Sequence, residues 1–162
     1  MIPIDEANGF VFARLLSGAL AIGHRPPLRA FKRMRDAGFT HIATILSPSE
    51  DPQAIGAAAQ DAGLEWKWIA IGSTKNLPAR DKPEIRESLR SLAAILDRGG
   101  RIYLHCSAGI HRTGMIAAAL LFHLGHSEVD VREALRSLRH VTAQDMGDER
   151  FAWARVVVEK MR

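Results

Sequence analysis

The sequence predicts an α/β fold in which a central, mostly parallel sheet of about four to five strands is flanked by helices. Short β-rich segments alternate with segments whose apolar residues recur at helical spacing, and glycine follows most of the helical segments. The chain of 162 residues contains no internal repeat, low-complexity tract or long linker. We therefore expect residues 1–162 to form a single domain.

Strands and helices alternate in the first half of the chain. An apolar run from Leu20 is ended by glycine and proline, which predicts a short strand. Apolar spacing predicts a helix over Pro27–Ala37, and an alanine-rich composition predicts another over Gln53–Ala62, each followed by glycine. β-Rich residues predict strands over Thr40–Leu46 and Leu64–Ile71.

Helices dominate the second half of the chain. Apolar spacing predicts a helix over Pro83–Arg98, and Arg101–His105 is a short β-rich strand. A strongly apolar helix over Arg112–Leu124 precedes a helix over Ser127–Arg139, which opens with a capping-box pattern. The last helix is expected from Asp145 to about residue 160. Because no strand separates these last helices, we expect them to pack beside the sheet.

Composition favours a globular cytoplasmic protein. Apolar residues make up 47% of the chain and charged residues 25%, which argues against disorder and collagen-like repeats. The longest apolar run, Met115 to Phe122, is far shorter than the roughly 20 residues that a membrane-spanning helix needs. The first apolar stretch carries Asp5 and Glu6 and lacks a basic segment before it, so we expect no secretory signal.

Charge and cysteine content narrow the chemistry. The net charge is +4 and the calculated isoelectric point is about 9.7, which favours anionic partners such as phosphates. Cys106 is the one cysteine, so neither an intramolecular disulfide nor a cysteine-rich zinc site can form. The histidines outside the segment around Cys106 show no metal-ligand spacing, and we expect the protein to bind neither a metal nor a cofactor.

The segment His105-Cys-Ser-Ala-Gly-Ile-His-Arg-Thr-Gly114 holds this cysteine between a predicted strand and a predicted helix. A loop that enters a helix points several backbone N–H groups at one place, and the helix dipole adds positive potential there. Both effects favour a thiolate at Cys106, and Arg112 carries a planar fork suited to two oxyanion oxygens. This arrangement suits phosphoryl transfer through a phosphocysteine.

These ten residues resemble the signature loop of the protein tyrosine phosphatase superfamily, with its Cys-x5-Arg motif. The rest of the chain is similar, at low specificity, to small dual-specificity phosphatases of the bacterial type. The resemblance implies that Cys106 is the nucleophile, that Thr113 hydrogen-bonds the thiolate, and that His105 orients the loop. Phosphoryl oxygens would be bound by the Arg112 side chain and by the backbone amides of Ser107, Ala108, Gly109, Ile110, His111 and Arg112.

The resemblance also implies a general acid on a separate loop, because a poor leaving group needs a proton as the P–O bond breaks. That loop is Gly72–Lys82, and its only carboxylate is Asp81, 25 residues before Cys106. Asp81 is the candidate acid, with Glu84 in reserve. Asp81 also lies where a residue would cap the next helix, so both interpretations stay open.

The chain departs from the commonest family pattern at two points. His111 stands where many relatives have a small residue, and it points either to the phosphate or to solvent. No acid stands at residues 72–76, where many dual-specificity enzymes place theirs. Gln144 matches a residue that positions the hydrolytic water in relatives, but it also suits a helix start.

The predicted function is hydrolysis of phosphate monoesters, phosphotyrosine and also phosphoserine or phosphothreonine, in phosphorylated proteins or other esters. The alternatives are an RNA 5′-triphosphatase, a phosphoinositide phosphatase, a non-catalytic phosphate-binding module and a rhodanese-like sulfurtransferase. The loop lacks lysine, which argues against inositol phosphates, and no interleaved aromatic and basic residues suggest nucleic acid. The sequence leaves the oligomeric state open.

Overall fold

A computed structural model describes residues 1–73, 77–79 and 81–162 of the chain. The described strands are β1 (Ile4–Ala7), β2 (Phe10–Leu15), β3 (Gly18–Gly23), β4 (His41–Ile45), β5 (Glu65–Ile69) and β6 (Arg101–His105). The described helices are α1 (Phe31–Asp36), α2 (Pro52–Asp61), α3 (Pro83–Asp97), α4 (His111–His123), α5 (Glu128–Leu138), α6 (His140–Asp145) and α7 (Asp148–Glu159). None of these helices is both long enough and apolar enough to cross a bilayer.

The strands form one sheet in the order β1-β2-β3-β6-β4-β5. The last four strands in this order pair in parallel, whereas β1 and β2 extend the sheet through antiparallel pairs. The predicted α/β fold with a mostly parallel sheet is therefore confirmed. The predicted strand count was too low, because the described sheet has six strands.

The two strands missed by the sequence interpretation form the N-terminal hairpin. Asn8 and Gly9 connect them, both with positive φ, at 54° and 82°. An Asn-Gly pair between β-rich segments is a strong hairpin signal, since both turn residues tolerate positive φ. The Asn-Gly pair is visible in the sequence and would have allowed this hairpin to be predicted.

Alternating side chains place helices on both faces of the sheet. In β6, Ile102 and Leu104 join the larger apolar cluster, which is filled by α3, α4, α5 and α7. Tyr103, between them, joins the smaller cluster with residues of α1 and α2. This period of two is what a strand buried on both faces requires.

The predicted helices agree with the structure except at two places. In place of the helix predicted over Pro27–Ala37, the structure has a 3₁₀ turn over Leu28–Ala30 followed by the short α1. The predicted final helix corresponds to α7 but begins three residues later, after Gly147 with a φ of 85°, and the short α6 before it was not predicted. A residue in this left-handed conformation cannot continue a helix, and glycine adopts it at little cost. The predicted cap of α5 is present, since the Ser127 side chain accepts a hydrogen bond from the backbone N–H of Asp130.

The strand order determines where a functional site can form. β3, β6, β4 and β5 are parallel, so their carboxyl ends lie at one edge of the sheet. Ligands bind at this edge in open α/β sheets. The loop after β6 lies between the segments that follow β3 and β4.

Candidate active site

Cys106 directly follows β6 and opens the loop that leads into α4. The residue is only 2% exposed. It lines a cavity of about 420 Å³, whose wall is formed by Glu50, Ser73, Cys106, Ser107, Ala108, His111, Arg112 and Arg150. The structure thus brings the predicted nucleophile and the predicted oxyanion-binding arginine together.

The backbone carbonyl oxygens of the loop all have protein donors. The carbonyl of Cys106 lies 2.8 Å from the His105 ring, and that of Ser107 accepts from the backbone N–H of Arg25 at 2.9 Å. The next three carbonyls belong to Ala108, Gly109 and Ile110, and they accept from Arg139, Thr142 and the backbone N–H of Gly114.

The backbone N–H groups of the same loop, unlike its carbonyls, have no protein partner among the described residues. Within the described part of the chain, none of those from Ser107 to Arg112 donates to a protein acceptor. In a trans peptide, the N–H of a residue points away from the carbonyl of the residue before it. The outward carbonyls therefore leave a concave row of donors beside Cys106, which is the geometry that binds tetrahedral oxyanions.

Gly109 allows the loop to close. Its φ is +72°, and a Cβ atom there would lie 2.2 Å from the backbone oxygen of Gly23, at the end of β3. Any side chain at this position would collide with backbone and would also adopt an unfavourable φ. The loop is therefore shaped by close contact with the neighbouring strand.

Arg112 is nearly buried and is held by Glu50. Its Nη1 donates to Oε2 of Glu50 at 2.6 Å and to the carbonyl of Ile71 at 3.1 Å, while its Nη2 donates to Oε1 of Glu50 at 3.0 Å. A guanidinium has five N–H donors. Glu50 and Ile71 accept from three of them, which leaves the Nε hydrogen and one Nη2 hydrogen for the Cys106 side chain or an oxyanion.

Glu50 was missed in the sequence interpretation. The Arg112 hydrogen bonds lower the pKa of Glu50 to about 2, so Glu50 is ionised at neutral pH. It ends a 3₁₀ turn that follows β4, where Ser47 and Glu50 form a capping box. The Ser-x-x-Glu spacing in the sequence signals this turn. That the turn faces Arg112 follows only from the adjacency of β4 and β6 in the sheet.

His105 ends a buried chain of hydrogen bonds that starts on β5. The Trp66 indole N–H donates to Oγ1 of Thr44 at 2.9 Å, and that oxygen lies 2.8 Å from Nε2 of His105. The other ring nitrogen, Nδ1, lies 2.8 Å from the carbonyl oxygen of Cys106, which can only accept. His105 therefore carries its proton on Nδ1 and accepts from the Thr44 hydroxyl at Nε2.

Burial keeps His105 neutral. It lowers the pKa of His105 to about 4, because the charged ring would lose its hydration. The ring thus fixes the Cys106 carbonyl without adding charge to the site. The loop-orienting role of His105 stays a prediction.

The other predicted site residues lie in different places. Thr113 is fully buried in α4, but its hydroxyl has no hydrogen-bond partner among the described residues, so the predicted bond to the thiol is absent in this structure. His111 is exposed and lines the cavity. Gln144 lies on α6, not on a loop, and lines a separate cavity between α5, α6 and α7.

Asp81 is exposed and is absent from the wall of the Cys106 cavity. Its capping role finds no support, because Lys82 is the residue that precedes α3 and the helix start has no side-chain cap. Its assignment as general acid stays a prediction. Residues 74–76 and 80, in the same loop, lie outside the described part of the chain.

The depressed pKa of His105 predicts how stability depends on pH. Between the ordinary value of 6.5 and the native value of about 4, the native state binds fewer protons than the unfolded chain. Stability that is complete above pH 6.5 is therefore lost as the pH falls toward 4, by about 3 kcal/mol. Denaturant unfolding across this pH range measures the loss.

The His105→Asn variant provides the matched comparison. Its amide can still donate to the Cys106 carbonyl but does not titrate. We expect it to be less stable than the wild type at neutral pH and to lose less stability between pH 6.5 and 4. An equally steep loss in the variant would assign the pH dependence to other groups.

Solved phosphatase structures share this fold. Kinase-associated phosphatase (KAP), with its catalytic-site cysteine replaced by serine, has a TM-score of 0.75 and 17% identity over 99% of this chain and 96% of that chain. PTPMT1 in complex with PI(5)P has a TM-score of 0.74 and 16% identity over 93% of this chain and 96% of that chain. P. aeruginosa TpbA, a Cys-to-Ser variant in complex with pTyr, has a TM-score of 0.61 and 18% identity, covering 93% and 87%.

The family comparison covers most of the chain. No curated protein matches it. Residues 23–126 match the family described as "Polymorphic toxin system, DSP-PTPase phosphatase". This range contains β4, β5, β6, the whole signature loop and α4. The chain therefore belongs to this DSP-PTPase family and is a cysteine-dependent protein tyrosine or dual-specificity phosphatase.

Proposed function

We propose that the protein hydrolyses phosphotyrosine, and also phosphoserine or phosphothreonine, through a phosphocysteine at Cys106. One observation carries the proposal: beside the cavity that Cys106 lines, the loop carbonyls all have protein donors, whereas the loop N–H groups have no acceptor among the described residues. Such a cradle stabilises the charge on the phosphoryl oxygens as the P–O bond breaks. A cytoplasmic location remains the prediction from the sequence.

The reaction proceeds in two displacements. The Cys106 sulfur attacks phosphorus, the P–O bond to the alcohol or phenol breaks, and the leaving oxygen takes up a proton. A water molecule then attacks phosphorus, the S–P bond breaks, and inorganic phosphate and the free cysteine are formed. In both steps Arg112 and the loop amides bind the three non-bridging oxygens of the phosphoryl group.

The described cavity wall offers no carboxylic acid that could serve as the general acid. Glu50 is the one carboxylate among the described wall residues, and its low pKa leaves it without a proton to donate. Asp81 lies just before α3, on the loop that begins after β5 at the same sheet edge. We assign it the role of proton donor to the leaving oxygen, and its exposure suits a group that closes over a bound substrate.

The phosphotyrosine, phosphoinositide and RNA 5′-triphosphate alternatives differ in the substrate that is hydrolysed. TpbA was solved with pTyr and PTPMT1 with PI(5)P, and each of these ligands carries a phosphate monoester group. The loop of this chain carries no lysine at its variable positions, which favours a monophosphate over a polyanionic inositol phosphate. Turnover of phosphopeptides, phosphoinositides and RNA 5′-triphosphate should therefore be fastest for the phosphotyrosine peptide.

The Cys106→Ser variant tests the proposed chemistry. A serine hydroxyl is a far weaker nucleophile than a thiolate, so we expect hydrolysis of p-nitrophenyl phosphate to fall to background. Phosphate binding should be retained, because the loop amides and Arg112 are unchanged. Turnover near the wild-type rate would exclude the phosphocysteine mechanism. Release of sulfite from thiosulfate, with transfer of the sulfur to an added acceptor and without phosphatase activity, would favour a sulfurtransferase.

The Asp81→Asn variant tests the general acid. We expect a loss of about 10²-fold in kcat/KM on alkyl phosphates and a much smaller loss on p-nitrophenyl phosphate, whose leaving group needs no proton. Glu84→Gln, also exposed near the start of α3, is the matched control and should leave both substrates nearly unaffected. Equal losses on both substrates for Asp81→Asn, or a leaving-group effect only in Glu84→Gln, would contradict this assignment.

A further inference from the structure

We propose that Arg139 and Thr142 are positioning residues of this phosphatase. By donating to the outward carbonyls of Ala108 and Gly109, they hold and polarise the N–H groups that bind the phosphoryl oxygens. The inference rests on the proposed function, because it assigns these N–H groups to phosphoryl binding.

Arg139 and Thr142 contact the loop carbonyls and each other. Arg139 Nη1 donates to the carbonyl of Ala108 at 3.1 Å and to that of Gly109 at 3.0 Å. The Thr142 hydroxyl donates to the same Gly109 carbonyl at 2.6 Å and lies 3.3 Å from Arg139 Nη1. Thr142 is fully buried, so its hydroxyl depends on this carbonyl as its acceptor.

The effect on the cradle follows from peptide geometry. The carbonyl of Ala108 and the N–H of Gly109 belong to one planar peptide, as do the carbonyl of Gly109 and the N–H of Ile110. Holding each carbonyl outward therefore turns the next N–H toward the cavity. A donor on a carbonyl also polarises the peptide, so that its N–H becomes a stronger donor, and a charged guanidinium does so more than a neutral group.

The backbone around Arg139 supports a specific task for this residue. Arg139 separates α5 from α6 and has extended dihedral angles, with φ −165° and ψ 104°. Neither glycine nor proline occurs from residue 136 to residue 141, so the local sequence does not require this interruption. Tertiary contacts must hold it, and the side-chain contacts of Arg139 are those with the loop and with Thr142.

Phosphate affinity tests the proposal without turnover. In the Cys106→Ser background, Thr142→Val removes the hydroxyl and leaves charge and shape nearly unchanged. We expect its affinity for inorganic phosphate to fall about three- to tenfold, and that of Arg139→Met to fall by tenfold or more. Thr142→Ser keeps the hydroxyl and should restore most of the affinity. Titration calorimetry with inorganic phosphate measures all of these changes.

Two comparisons separate positioning from charge and from stability. Arg136→Met removes one positive charge from an exposed position on α5 and should weaken phosphate binding much less than Arg139→Met. In amide NMR spectra without phosphate, Thr142→Val and Arg139→Met should shift the Gly109 and Ile110 N–H signals more than the other loop amides. A purely structural role would instead lower the melting temperature and leave phosphate affinity unchanged.

The outcomes distinguish this inference from the proposed function. The inference would be overturned if Thr142→Val bound inorganic phosphate as tightly as the protein with Thr142. It would also be overturned if Thr142→Ser restored no affinity, or if Arg136→Met and Arg139→Met lost equal affinity. If the expected affinity pattern is found but Cys106 proves dispensable for turnover, the positioning role stands and the phosphocysteine mechanism fails. Should Arg139→Met not fold, the Thr142→Val and Thr142→Ser pair decides the question.

Discussion

The signature loop must turn its N–H groups toward one point beside Cys106, and this requires donors elsewhere in the chain to hold its carbonyls outward. Planar trans peptides link the two directions. Besides the neighbouring His105 ring, the groups that satisfy this constraint come from distant parts of the chain: the backbone of Arg25 and the side chains of Arg139 and Thr142. The site is therefore a product of the whole fold and not of the motif alone.

The strand order brings these groups together. Because β6 lies between β3 and β4, the segments after those two strands flank the loop. From one side, Gly23 of β3 approaches the loop so closely that only glycine fits at position 109. On the other side, Glu50 lies in the turn after β4, and its carboxylate accepts two hydrogen bonds that align the guanidinium of Arg112. Charge neutralisation by Glu50 also lets this cation remain nearly buried.

The sequence was informative where chemistry and local structure coincide. Cys106 and Arg112 lie in one strand–loop–helix unit, so short-range spacing was enough to bring them to one cavity. Thr44, Trp66 and Glu50 could not be assigned in this way, because their contacts arise from the pairing of parallel strands far apart in the chain. The end of α5 at Arg139 was predicted, but the short α6 that follows at once was not, since no glycine or proline separates the two helices. The N-terminal hairpin is different, because its Asn-Gly turn was visible.

The central claim is that Cys106 becomes covalently phosphorylated during turnover. Acid quenching of the enzyme during steady-state hydrolysis of a phosphotyrosine peptide, followed by mass spectrometry of proteolytic fragments, tests it directly. We expect one added phosphoryl group on the fragment that contains Cys106, and we expect it to be lost when the fragment is treated to cleave phosphorus–sulfur bonds. A phosphoryl group on another residue, or unmodified Cys106 under conditions in which an intermediate accumulates, would contradict it.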